Sequence, residues 1–167
     1  MISEDQYRKA YRAYLSAKAF LSATDILRQV GRKDGLKLFI YYAYPMSVNA
    51  ALSCELFIKS LLTLEETEYE RVHYLYDLFS MLSHDTKTRI KKVFLESGST
   101  ASVEGLVKTY NKAFVEWRYP FDSENDEKTL TMAWSDFLIL CMAMQTETKR
   151  KLKEYPCFDS FNIEGEY

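Results

Sequence analysis

The chain has 167 residues, the size of one ordinary domain, and can bury most of the surface that its unfolded form exposes. Five glycines and three prolines against 47% apolar and 15% aromatic residues exclude a disordered or collagen-like chain and favour long regular elements around a dense core. With 22 basic against 24 acidic side chains, a net charge of -2, the sequence has no general field for coating a polyanion.

A first helix is expected over about residues 3 to 30. Ser3-Glu4-Asp5-Gln6 has the form of a capping box, in which Ser3 accepts from the first turn and Gln6 reaches back. Tyr7, Tyr11, Tyr14, Lys18 and Leu21 follow at helical spacing and lay a tyrosine stripe on one face, read as core. Gly31 stands where a helix stops, and Gly31 to Gly35 reads as a polar turn. Leu36 to Tyr44, LKLFIYYAY, alternates partly with period two and also suits a buried helical turn, so both states stay open. Pro45 is expected to open a new helix, where its missing N–H has no intrahelical partner to lose. That helix carries Val48, Leu52 and Leu56 on one stripe and Ala51, Glu55, Lys59 and Leu62 on the next.

After the polar stretch Glu65 to Glu70, HYLYDLFSML predicts a short helix with Leu75, Leu78, Phe79 and Leu82 inward. Another is predicted over about Lys87 to Leu95, amphipathic through Ile90, Val93 and Phe94, followed by a loop from Glu96 to Ala101. Ser102 is placed to cap a long helix in which Val103, Val107, Tyr110, Phe114 and Trp117 share a face, with Arg118 on its flank. An acidic connection, Asp122 to Lys128, leads to a last helix from Thr129 to Lys153 that carries Leu130, Trp134, Phe137, Leu138, Cys141 and Met144. Its basic end suits the negative pole of the helix dipole. These elements predict an all-α fold: an antiparallel helical bundle of five to six helices over residues 1–155, with a C-terminal tail at 156–167 that packs through Phe158 and Phe161.

Several residues stand out as carriers of chemistry. Glu55 and Lys59 lie one turn apart in the orientation that favours an ion pair, and if buried each needs its partner. His73 and Asp77, also one turn apart, are placed to share a hydrogen bond. His84 lies between Ser83 and Asp85, but three consecutive residues cannot supply triad geometry and the stretch reads as a turn opening a helix. Trp117, Arg118 and Tyr119 form the type of cluster enriched at interface anchors, with an internal pairing of Arg118 to Glu55 or Asp77 as the structural alternative. No metal is expected. The acidic run 122–127 starts like a calcium loop, yet Glu127 stands where glycine is required and Ala133 where the bidentate acid belongs. Two histidines and no CxxC pair give zinc no better support, and no glycine-rich phosphate or dinucleotide motif implies a cofactor. Cys54, Cys141 and Cys157 are odd in number and far apart, which fits reduced thiols and a cytoplasmic protein. No membrane span is expected, since no stretch reaches the roughly 20 apolar residues needed to cross a bilayer.

Three stretches in this order resemble the HEPN superfamily (higher eukaryotes and prokaryotes nucleotide-binding domain), a helical bundle of prokaryotic defence and toxin–antitoxin systems. NAALSCELFIKSLL (49–62) is similar to the family's small-residue helix with its ExxxK pair. HYLYDLFSMLS (73–83) is similar to the His-x-Leu-x-x-Leu-Phe helix that follows, and AFVEWRYPF (113–121) to the helix ending in aromatic–Arg–Tyr. The resemblance covers roughly residues 45 to 145. It implies a self-associating module, a homodimer, that engages a protein, a nucleotide or RNA. Ribonucleases of the family set a histidine after an arginine with four to six residues between them; it moves the 2'-hydroxyl proton while the arginine stabilises phosphate charge. Counting on from Arg118, those positions hold Ser123, Glu124 and Asn125. The implied function is therefore a noncatalytic binding or regulatory module resting on Glu55, Lys59, His73, Asp77, Trp117, Arg118 and Tyr119. The alternative is a divergent metal-independent ribonuclease in which His73 works with Arg118.

Overall fold

The structure, a computed structural model, describes residues 2–33, 36–69, 71–112 and 134–155. Among them are six helices and no strand: α1 (Glu4–Lys33), α2 (Leu36–Leu64), α3 (Leu75–Met81), α4 (His84–Glu96), α5 (Val103–Thr109) and α6 (Trp134–Leu152). The chain forms the all-α helical bundle expected from its patterning.

The capping box at the start of α1 is made in both directions: Ser3 N donates to Gln6 Oε1 at 2.8 Å and Gln6 N donates to Ser3 Oγ at 3.2 Å. Tyr7 and Tyr14 are buried, as the stripe predicts. α1 and α2 then pair antiparallel along their lengths through side-chain hydroxyls that reach the neighbouring main chain. Ser60 Oγ donates to the Ala10 carbonyl at 2.8 Å, Ser53 Oγ to that of Ala17 at 2.9 Å, and Thr24 Oγ1 to that of Met46 at 3.5 Å. Both helices step by seven residues between these bonds, which requires close approach along one seam. Buried Ala10, Ala17 and Thr24 permit it.

Gly31 is the next step of seven on that seam and is itself buried. It is therefore not the helix stop expected of it, and α1 runs on to Lys33. A glycine inside a helix costs about 1 kcal/mol relative to alanine, and here it keeps the seam small. Leu36 to Tyr44 is helical, and Pro45 lies inside α2 instead of opening a new helix. Pro45 and Tyr41, one turn before it, are both exposed, so the missing hydrogen bond falls on the solvent side, where the carbonyl is open to hydration.

α6 lies beside α2 and runs parallel to it. The Cys54 thiol is 3.3 Å from Met144 Sδ and Cys141 Sγ is 3.6 Å from the Ala50 carbonyl. The neighbouring Cys141 thiol and burial push the Cys54 thiol well above its ordinary pKa, so it stays protonated and unreactive. With α1 on one side and α6 on the other, α2 is the central helix. By length and composition Tyr41–Leu64 is able to cross a membrane, at mean hydropathy 1.3, which corrects the expectation that no stretch reaches that length. An apolar stretch of 18 residues within it is 72% buried inside the bundle.

The shorter helices close the remaining side. Leu75, Leu78, Phe79 and Leu82 of the α3 segment and Ile90 and Phe94 of α4 are buried as read from the sequence. Ser102 caps α5 by accepting from Gly105 N at 3.2 Å. α5 ends at Thr109 and does not continue as one helix to Trp117. The cause is Asn111, which turns to α3: its carbonyl accepts from Leu75 N at 3.1 Å and its Oδ1 from Tyr76 N at 2.7 Å. Two orphan N–H groups of the α3 N-terminus are satisfied in this way. Tyr110 packs on Phe137 with ring centroids 4.5 Å apart, tying α5 to α6. Phe114, the cluster Trp117-Arg118-Tyr119, the run 122–128, Leu130, Ala133, Cys157 and the tail residues Phe158 and Phe161 lie outside the described residues.

Candidate functional site

One buried cluster of charged side chains is centred on α2. The Glu55 side chain is 3% exposed, Lys59 15% and His73, on the segment before α3, 52%. Glu55 Oε1 accepts from Lys59 Nζ at 2.7 Å and lies 2.9 Å from His73 Nδ1, which donates to it when it carries the proton. Oε2 of the same carboxylate is buried and has no hydrogen-bond partner. The ammonium and the imidazole thus converge on one oxygen while the other is left with its desolvation cost, of order 1–3 kcal/mol.

The loop after α2 extends this cluster to the surface. It begins with a Schellman turn, in which Glu66 N donates to the Thr63 carbonyl at 3.2 Å and Thr67 N to that of Leu62 at 3.0 Å. Glu66 takes φ 56° there, the left-handed conformation that glycine usually supplies, and Arg71 has φ 60° near the other end of the loop. Between them Tyr69 folds back so that its hydroxyl meets Thr63 Oγ1 at 2.8 Å. The ammonium groups of Lys9 and Lys59 lie 5.3 and 5.8 Å from the centroid of its ring, within cation–π range. Beside Tyr69 a surface pocket of about 350 Å³ is lined by Gln6, Lys9, Thr63, Glu66, Thr67 and Glu68.

A second polar hub lies at the base of that loop. Glu65 accepts from Ser83 N at 2.9 Å, Ser83 Oγ at 2.7 Å, Thr86 Oγ1 at 2.6 Å and Lys151 Nζ at 2.5 Å. Burial alone pushes its carboxyl pKa up, but these donors outweigh burial and hold it below the ordinary carboxylate value. Because its partners come from α4 and α6, this carboxylate is a clamp for the bundle. Ser83 also accepts from Thr86 N at 3.3 Å as the N-cap of α4, and His84 is only the first residue of that helix.

Of the residues singled out in the sequence, the fold brings Glu55, Lys59 and His73 together. It does not bring in Asp77, which is exposed and does not bond His73; the imidazole turns to Glu55, 18 residues earlier. Buried Glu55 offers a desolvated charge, whereas the exposed Asp77 offers one already solvated by water. Trp117, Arg118 and Tyr119 lie outside the described residues. Sequence reasoning missed Tyr69, Lys9 and the Glu65 hub, whose partners are distant in the chain and leave no spacing signal. Among the described residues no group of three or more His, Cys, Asp or Glu side chains is arranged to hold a metal ion. Compared with known proteins, the chain matches no family model, no curated protein and no solved structure.

Proposed function

We propose that the chain is a noncatalytic HEPN-like binding or regulatory module of a prokaryotic defence or toxin–antitoxin type system, cytoplasmic and self-associating, that engages a protein, a nucleotide or RNA. The observation that carries this reading is Glu55. Its carboxylate joins Lys59, in the stretch that resembles the family's ExxxK helix, to His73, the first residue of the second resembling stretch. The loop between them sets Tyr69 beside Lys9 and Lys59, over a pocket in which Lys9 stands with Glu66 and Glu68, a surface of mixed charge with an aromatic face suited to an aromatic or polar group of a partner.

One observation favours a second reading, a metal-independent ribonuclease. A buried carboxylate that holds Nδ1 of a half-exposed histidine orients the ring and leaves Nε2 for proton transfer, as a carboxylate does for a general base. The test is a single-stranded RNA of mixed sequence and a labelled nucleotide, each incubated with the protein in excess EDTA, beside His73→Ala and Arg118→Ala. Binding without cleavage, weakened by Lys9→Ala, supports the binding module. Cleavage lost in both His73→Ala and Arg118→Ala overturns it in favour of the enzyme. Neither binding nor cleavage removes RNA and nucleotide as ligands and leaves a protein partner.

A further inference from the structure

The outer face of α1 changes character along its length. Its first half presents Glu4, Arg8 and Arg12, and its second half presents Leu15, Ala19, Ser22, Ile26 and Val30, all exposed, at steps of four, three, four and four. Those steps keep the five residues on one face of the helix. Ile26 is 60% exposed, an uncommon position for a large β-branched side chain on a helix that already buries its opposite face.

The order of sizes along the stripe is self-complementary. Against a second α1 lying antiparallel, with a twofold axis at Ser22, Ala19 faces the partner's Ile26 and Leu15 faces the partner's Val30. Each large side chain of the central pair therefore meets a small one, twice over by symmetry, which is the arrangement an isologous contact requires. The charges follow the same axis. Lys18 and Asp25 lie seven residues apart on one flank of the stripe and line, with Arg28, Leu138 and Met142, a groove of about 320 Å³ between α1 and α6; Asp25 accepts from Arg28 Nη2 at 2.6 Å and Gln29 Nε2 at 3.3 Å in its own helix, so a partner's lysine joins an existing pair. In an antiparallel pair residues of one flank face each other, so Lys18 meets the partner's Asp25 at both ends. Arg12 and Lys33 meet as like charges just beyond the stripe and confine the contact to the 16 residues from Leu15 to Val30, about 24 Å of helix.

We infer that a second copy of this chain docks on the Leu15–Val30 face of α1, forming an antiparallel helix pair about a twofold axis at Ser22. This gives a surface to the self-association in the reading above. The RNA and nucleotide assays do not depend on it, so either can fail alone.

The test is the mass of the full chain by light scattering coupled to gel filtration, over a dilution series. The wild type is expected to be a dimer. Ile26→Glu puts two charges into the centre of the seam and is expected to raise the dissociation constant about a hundredfold. Leu95→Glu, at an exposed leucine of α4, serves as a control and is expected to leave the dimer intact. Lys18→Asp sets like charges opposite each other and weakens the dimer severalfold, and adding Asp25→Lys restores it. Circular dichroism on each variant checks that the helices are kept, and the charge-reversal pair decides the matter if Ile26→Glu fails to fold. A monomeric wild type, or a dimer indifferent to Ile26→Glu and to both charge reversals, overturns the inference.

Discussion

Glu55 and Lys59 allow a quantitative test of how the bundle tolerates charge. Replacing Glu55 with methionine strands an ammonium that is only 15% exposed; breaking a buried pair costs about 3–5 kcal/mol. The cost is placed lower here, at about 2 kcal/mol, because the lysine stem can carry its head toward water and because Oε2 already lacks a partner. Lys59→Met leaves the carboxylate with His73 alone and costs a similar amount, about 2 kcal/mol. The double variant replaces the pair with apolar side chains of similar length and should lie within about 1 kcal/mol of the wild type. The cycle therefore predicts a coupling energy of about 4 kcal/mol, and no less than about 3. Urea unfolding of the four proteins measures it, with each single variant melting about 4–8 °C below the wild type. Additive single effects, with coupling below about 0.5 kcal/mol, would refute the argument and show that Lys59 is solvated without help from Glu55.

Acid should weaken the protein through Glu65. Its carboxyl pKa is lowered in the folded state, so the unfolded chain binds the extra proton and the stabilisation, full above the ordinary value of about 4.3, is lost as pH falls through the folded one. Glu65→Gln should flatten this acid limb in unfolding curves taken across that range, and an unchanged pH slope counts against the clamp. Ala17→Leu should cost about 3 kcal/mol by forcing apart the seam closed by the Ser53 hydroxyl, whereas Ser16→Leu, exposed and outside both seams, should cost less than about 0.5 kcal/mol. Equal melting temperatures for the two would deny the close approach of α1 and α2. Asn111→Ala removes the side-chain cap from Tyr76 N and should cost about 1 kcal/mol, read as faster amide exchange at the start of α3.

What the sequence disclosed was local. Ser3 with Gln6 and Ser102 with Gly105 are bonds between residues three apart, and both are found where the residue types place them. The apolar stripes of α3, α4 and α6 were legible because burial follows a period of 3.6. Gly31 and Pro45 misled for the same reason: their rules describe an isolated helix, and here the neighbouring helix and the solvent decide. A glycine at the fourth position of a seven-residue seam is a packing residue, and the spacing of Ala10, Ala17, Thr24 and Gly31 was the signal that identifies it. The partner of His73 was not legible, since Asp77 and Glu55 compete for it and only tertiary placement decides between them.

The cluster at Glu55 also explains why polarity is kept on so apolar a helix. α2 is covered by α1 along one seam and by α6 along another, so a carboxylate on it must be held by groups that arrive from elsewhere in the chain. Lys59 is fixed by the helix itself, one turn on. His73 is not: it reaches Oε1 only when the loop with left-handed Glu66 and Arg71 folds back and Asn111 caps the start of α3. The Glu55–His73 bond therefore reports whether α2, its following loop, α3 and the end of α5 are assembled together. A ligand that contacts His73 or Tyr69 acts on a joint of the fold, where binding energy can change the packing of three helices at once.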